Sequence, residues 1–475
     1  MIRILLSTII AILTAPALLG AEVSLANYLL EVKSKSPAYL AAEEGEKAAG
    51  QLLKENTIAA GAWGFVEGQY GNDKSPSSMS MLYGDSRTQS ALNLGLSGRT
   101  DIGLSGKIYF GLAHTTLGGI QPLVIPPLPP ISFITDPEYY TSKAAVELKL
   151  DLLRNSLGRE VRALSNAMEK KNRAALLEKQ FAKKQFLAEA EKAYWKLSLA
   201  REAVKINEEL LLRSGRLHTW MKEKISLNLM DRDDILLADS DLKFRELELL
   251  NALDEEKSAA RTYNALKGNN SEKVKDELSL PKEAALKIAM PVVMPGRLDI
   301  EALLLNIEAG KASAVMKAEG AKPELSLSGA ASLNSQSAGL NDTLSGAFNT
   351  DHGVYGLNIN LSVPFDLGER EKLIAGYESE AKAGEKYLAQ KQLEAAVEWQ
   401  ELTRKQSEVI KRLKLLAELE FLQKRKADAE QDKLKKGNTV TFQVLMYEQD
   451  WAKSRLGIIQ AKQGLVELLA RIRLY

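Results

Sequence analysis

The chain has 475 residues, 26% of them charged, with a net charge of +1, which removes the bulk electrostatic bias of a nucleic-acid or membrane-surface binder. It contains no cysteine, so disulfides, thiol catalysis, cysteine metal sites and a lipid on an N-terminal cysteine are all excluded. Length alone would suggest about three globular domains, but long charged-apolar segments imply rods in place of compact cores.

Residues 1–21 read as a secretory signal: basic Arg3, an apolar run from Ile4 to Leu13, then small residues up to Ala21, after which cleavage is expected. Broken at Thr14 and Pro16, that run is too short to anchor the chain. No later segment approaches about 18 consecutive apolar residues, so a membrane would have to be entered as strands.

Residues 24–54 have helical spacing through Leu25, Tyr28, Leu29, Val32, Tyr39 and Leu40, with Ser24 as N-cap and an interruption at Pro37. From Thr57 to Leu117 the texture becomes Gly, Ser and Thr with period-two alternation, as at Ala91 to Leu96 and Lys107 to Phe110, which predicts strands. Residues 71–87 and the proline-rich 118–137 read as loops, and Val146 to Leu152 as a further strand. Strands of a membrane barrel give only this weak alternation, and a soluble antiparallel sheet gives the same. Trp63, Tyr70, Tyr83, Tyr109, Phe110, Tyr139, Tyr140 and Tyr355 fall in these regions, where amphipathic rings suit a bilayer interface.

Helix then takes over. No proline occurs from Gly158 through Lys267, and at 1.5 Å per residue about 70 residues make a rod of roughly 100 Å, stable only against lateral neighbours. Trp195, Trp220, Trp399 and Trp451 lie in such rods as packing residues. A polar linker, 268–280, leads to a second half: a helix from Leu280-Pro281 to Ala318, strands at 324–332 and 354–363, a loop from Asn334 to Gly353, a rod from Leu367 to Lys436, a turn at Gly437-Asn438-Thr439, and a return to Tyr475. Gly158 to Asp234 spans 76 positions and Gly368 to Gln443 spans 75, so the order helix, strands, long helix, turn, helix reads as an internal duplication of 22–267 and 281–475.

His114, His218 and His352 share no ligand spacing with carboxylates, so no metal centre is expected. The Gly-rich units Gly95–Gly98 and Gly103–Gly106 suit strands and turns better than a phosphate cradle. Asp231, Arg232, Asp233 and Asp234 read as an N-cap cluster compatible with lining a pore, and Lys433, Lys435 and Lys436 suit a helix C-terminus. No catalytic constellation assembles, so neither an enzyme nor a cofactor is expected.

Four runs stand in order. Arg297-Leu298-Asp299-Ile300 precedes Ala321-Lys322-Pro323-Glu324-Leu325. Leu357 to Gly368, containing Pro364-Phe365-Asp366-Leu367-Gly368, joins a strand to a helix, and Gly437 to Leu445 forms a turn. Together they resemble the TolC-like outer-membrane efflux protein family across the mature chain. The resemblance implies an α+β membrane protein: a homotrimer whose strands close one β-barrel in the outer membrane, continued by a periplasmic α-helical coiled-coil barrel of duplicated hairpins. It further implies a passive duct for an inner-membrane pump and a periplasmic adaptor, with a tip that gates and docks at Asn228, Asp231, Arg232, Asp233, Asp234, Gly437, Asn438, Thr439, Gln443 and Met446. Gly158, Pro364 and Gly368 would mark the strand-to-helix junctions. At the second turn, Gln443 and Met446 replace the family's aspartates and Thr439 its basic residue, leaving only Asp234 acidic. Residues 87–117 also exceed the two strands a minimal repeat needs, as an added barrel hairpin or an extracellular excursion. A soluble periplasmic coiled-coil scaffold with a small β domain is the competing reading.

Overall fold

In the computed structural model, residues 23–55, 61–75, 84–134, 136–227, 234–279, 290–291, 293–365 and 367–475 are described. The signal segment, Tyr83, the first turn at 228–233 and the expected helix start at 280–289 lie outside them. In chain order the elements are α1 (Leu25–Lys35), α2 (Pro37–Leu52), β1 (Trp63–Asp73), β2 (Ser86–Arg99), β3 (Leu104–Gly118), β4 (Glu138–Asp151), α3 (Arg159–Ser226), α4 (Asp234–Leu266), α5 (Leu298–Gly320), β5 (Glu324–Ser337), α6 (Leu340–Ser345), β6 (Gly353–Ser362), α7 (Leu367–Lys435) and α8 (Thr441–Ile472). Two units emerge: a helical one of residues 1–47, 177–300 and 391–475, and a sheet-bearing one of 48–176 and 301–390. Among the described residues no helix is long and apolar enough to cross a membrane.

In the helical unit, Ser24 caps α1 by accepting the Asn27 N–H at 3.3 Å, and α1 ends at Lys35, two residues before Pro37, which opens α2. The expected interruption is a break because proline has no N–H to continue α1 yet suits a first helical position. Tyr28, Tyr194 and Tyr263 are fully buried; the Tyr28 and Tyr263 rings stack at 4.3 Å, and the Tyr28 hydroxyl donates to the Tyr263 carbonyl at 3.1 Å. Around them Leu197, Leu199, Trp399, Trp451 and Leu465 form one core, each such side chain contributing about 1.5–3 kcal/mol on burial. The polar 268–279 segment is pinned to this core: the Arg201 guanidinium donates to the carbonyls of Val274 and Asp276, and the Tyr194 hydroxyl to that of Val23, which pairs with Leu278.

In the sheet-bearing unit the six strands form one antiparallel sheet in the order β1-β2-β3-β4-β5-β6. β2 and β3 pair from Ser86–Gly118 to Arg99–Ser105, so the residues beyond a two-strand minimum form a hairpin inside the sheet. Several expected boundaries move. β1 runs to Asp73 and β2 starts at Ser86, inside the stretch read as a loop. β4 begins at Glu138, eight residues before the alternation at Val146. β5 continues to Ser337, α6 follows within the expected Asn334–Gly353 loop, and α5 begins only at Leu298. α5 lies against the first part of α3 through Lys170–Glu308 (2.6 Å) and against the first part of α7 through Lys311–Glu385 (2.5 Å).

Candidate functional site

The second turn is described in full. α7 ends in a double closure, with Asn438 N–H to the Lys433 carbonyl and Gly437 N–H to the Leu434 carbonyl, both at 2.9 Å. That pattern needs a left-handed residue after the helix, and Gly437 takes it at φ 75°. The Thr439 hydroxyl donates to Glu430 Oε1 at 2.5 Å and Lys433 meets Oε2 at 3.1 Å; the hydroxyl first, and the ammonium second, hold the Glu430 carboxyl below the usual carboxylate range. Half-buried Gln443 donates its Nε2 to the Tyr447 hydroxyl one turn on at 2.8 Å, while Lys426 sits 3.7 Å from the centre of that ring. Met446 is exposed. Of the first turn, Asn228, Asp231, Arg232 and Asp233 lie outside the described residues, and Asp234 opens α4 with its side chain outside the description. Beneath the two turns Leu217, Met221 and Ala238 pack with Leu434, Val444 and Leu445, joining the hairpins.

Above that cluster lies a polar layer that sequence reasoning did not find. Arg213 of α3 donates Nε and Nη2 to Glu448 of α8 (3.2 and 2.6 Å) and Nη2 to Asp428 of α7 (2.9 Å), its guanidinium 4.6 Å from the Trp451 ring centre. The next residue, Ser214, donates to Asp241 of α4 at 2.7 Å, and Arg245 lies 3.5 Å from that aspartate. Adjacent positions on α3 therefore reach α4, α7 and α8. Charged residues are common on solvated helix faces, so nothing local distinguishes these from their neighbours; a signal exists only in their shared level once the hairpins are paired.

The sheet separates its side chains by chemistry. Residues opposite one another in an antiparallel pair share a face. The ladder Val66–Leu94–Phe110–Ala144–Leu333 and its neighbours place Leu96, Ile108, Val146, Leu148, Tyr355, Leu357, Ile359 and Leu361 on one side. Along the paired strands that side carries one acid, Glu138, at the end of β4, where it meets His114 at 2.7 Å. Glu67, Arg99, Lys107, Lys143, Glu147, Lys149, Asp151 and Glu324 occupy the other, cross-linked by Lys149–Glu324 (2.9 Å), Arg99–Asp151 (3.5 Å) and Tyr109–Glu147 (3.0 Å). The uncharged side is open: Val66, Ile108, Tyr355, Leu357 and Ile359 are each more than 60% exposed. The histidines stay apart; His218 pairs with Asp239 at 2.8 Å and His352 is exposed.

Residues 294–475 match the family model described as outer membrane efflux protein. The chain is also similar in structure to the outer-membrane channel OprN (17% identity, TM-score 0.65, covering 95% of this chain and 89% of that one). The same holds for the outer membrane protein VceC of Vibrio cholerae (14%, 0.64, 95% and 95%) and the open-state outer membrane channel MtrE of Neisseria gonorrhoeae (14%, 0.62, 95% and 88%). No curated protein sequence matches it. The C-terminal segment 294–475 thus carries the match to the outer membrane efflux protein family, and the chain as a whole shares the fold of these channels.

In this chain the two strand-to-helix junctions differ. After β4, Asn155 and Leu157 adopt left-handed backbone (φ 57° and 52°), and Gly158 does so at φ 74°, where a Cβ would lie 1.7 Å from the Asp101 carbonyl oxygen. Asn155 is buried, accepts the Glu160 and Val161 N–H groups at the start of α3 (3.0 and 3.2 Å) and donates to Asp151 at 3.0 Å. After β6, Pro364 stands in irregular chain and Gly368 lies within α7, where an added Cβ would meet nothing within 4 Å. The family-like Leu-Gly pairs thus do different work: Gly158 is required by a close approach, whereas Gly368 is not.

Proposed function

We propose that this chain is the outer-membrane duct of a tripartite efflux or secretion system, carrying substrates passively outward from an inner-membrane pump and a periplasmic adaptor. The observation that carries the reading is the sheet: one face whose only charge along the paired strands is Glu138 and which is open at Val66, Ile108, Tyr355, Leu357 and Ile359, one charged face, and free edges on β1 and β6 among the described residues. An apolar face and open edges are an aggregation hazard in water, and a closed barrel in lipid removes both. β1 and β6 run antiparallel in an alternating six-strand sheet, so copies can join edge to edge without breaking the pattern. Three copies give about eighteen strands, within the even-numbered range of such barrels. The charged face then lines the lumen.

The paired helices continue the duct into the periplasm, and the two halves, 22–267 and 281–475, are a duplication in which each hairpin finds lateral partners in the other and in sister chains. The turns, including Asp234 and Gly437 to Met446, form the mouth where the adaptor docks. With Gln443 bonded to Tyr447 and Thr439 to Glu430, closure relies little on salt links between chains. An Asp234→Ala channel whose conductance rises by orders of magnitude would overturn that point. The duct itself is tested by fractionation and electrophoresis: a heat-modifiable trimer in outer membranes is expected, and recovery in osmotic-shock fluid as a single copy would end the reading.

A further inference from the structure

The uncharged face of the sheet is not uniform. Leu94, Ile108, Val146 and Leu333, from four adjacent strands, floor a groove of about 780 Å³ that Phe348 and Tyr355 flank, and among the described residues no charged side chain lines it. The β5–β6 connection holds one wall in place. Thr343 of α6 is fully buried, its carbonyl accepts the Ser142 hydroxyl at 3.0 Å, and Asn334 donates to the His352 carbonyl at 3.0 Å. Phe348 lies with its ring centre 6.1 Å from that of Phe110, yet is 70% exposed, and Tyr355 is 90% exposed.

We propose that this groove binds a single acyl chain of an outer-membrane lipid. The proposal rests on the duct reading, which puts this face in the bilayer. Every strand in the groove floor already pairs on both sides, so a peptide laid across it would find no partners for its own N–H and C=O groups. A headgroup or other ion would find no charge. An acyl chain has neither requirement, matches an aromatic and aliphatic wall, and is supplied by the surrounding membrane. The volume falls in the ordinary range of about 300–1,000 Å³ for ligand clefts. The position of the wall, on a connection between strands at the end of the sheet away from α3 and α7, sets the chain within the leaflet on the outer side.

The test uses the full-length protein in bilayers containing a phosphatidylcholine with brominated acyl chains, which quench nearby tryptophan. Phe348→Trp reports on the groove, and Tyr70→Trp, on the same face in β1, reports on the general lipid surface; each is read against the parent protein. Half-quenching at Phe348→Trp is expected at about one-tenth the mole fraction of brominated lipid needed at Tyr70→Trp, a tenfold preference. Adding lipopolysaccharide separates the two sources of acyl chain: restored fluorescence at Phe348→Trp assigns the groove to lipopolysaccharide chains, and unchanged quenching to phospholipid chains. Equal dependence at both positions would reduce the groove to ordinary lipid contact and overturn the proposal. Quenching at Tyr70→Trp with none at Phe348→Trp would mean that a neighbouring copy covers it, and would overturn it also. Absence of quenching at both would overturn the bilayer reading itself.

Discussion

Leu157 and Gly158 share a left-handed backbone but not a cost. Leu157 is 70% exposed and packs little, so its side chain contributes strain without compensation. Leu157→Gly should raise stability by about 1 kcal/mol, seen as a higher thermal midpoint in detergent. Gly158→Ala should lower it by more than about 2 kcal/mol, because the methyl would meet the Asp101 carbonyl, whereas Gly368→Ala should be neutral or stabilise α7 by up to about 1 kcal/mol. A Gly158→Ala protein with the parent midpoint would refute the close approach. Glu430 gives a pH dependence. Its folded pKa is depressed by Thr439 and Lys433, so its contribution is complete above the ordinary glutamate value and is lost as pH falls through the depressed one. The thermal midpoint should therefore decline below about pH 4, less so in Glu430→Gln. At this scale Gly437 was legible, since glycine after a lysine-rich helix end is a local stop signal. The requirement at Gly158 was not, because the obstructing carbonyl is 57 positions away in the sequence.

Among elements, the helices and the sheet were legible to different degrees. α3, α4, α7 and α8 lie within a few residues of expectation because helix periodicity, absence of proline and stop signals are carried by neighbours along the chain. β5 runs past its expected end at Ser332 because pairing with β4 overrides the turn-like composition of Asn334, Ser335 and Ser337, each small polar group sitting on a ladder and not in a loop. The sidedness of the sheet gives a direct prediction. On the proposed duct, Ile108→Arg on the face of Val66 and Leu357 should impair membrane assembly, at about 2–4 kcal/mol for a cation near mid-bilayer, whereas Asn93→Arg on the opposite face should leave the yield of assembled protein unchanged. Equal yields would contradict the assignment of faces. In the helices, Arg213→Met strands the largely buried Glu448 and should cost about 2 kcal/mol or more, and Arg213→Met/Glu448→Met should recover part of that loss, measured as a double-mutant cycle on thermal midpoints.

For the whole molecule, the defining quantity is the surface that one copy leaves uncovered among its described residues: two strand edges and a sheet face whose only charge along the paired strands is Glu138. Under the proposed edge-to-edge closure, cross-linking after heating should show copies that dissociate together with the sheet, because strand pairing between copies would be continuous with pairing inside each. What the sequence determined by itself was the succession of strands and long helices and the turn at Gly437, since each depends on periodicity and on residues a few positions apart. What only the tertiary structure decided was which side chains share a level or a face. The Arg213 layer draws on four helices and the Phe348 groove on strands from both halves of the chain, and no local pattern records a contact between residues more than 200 positions apart.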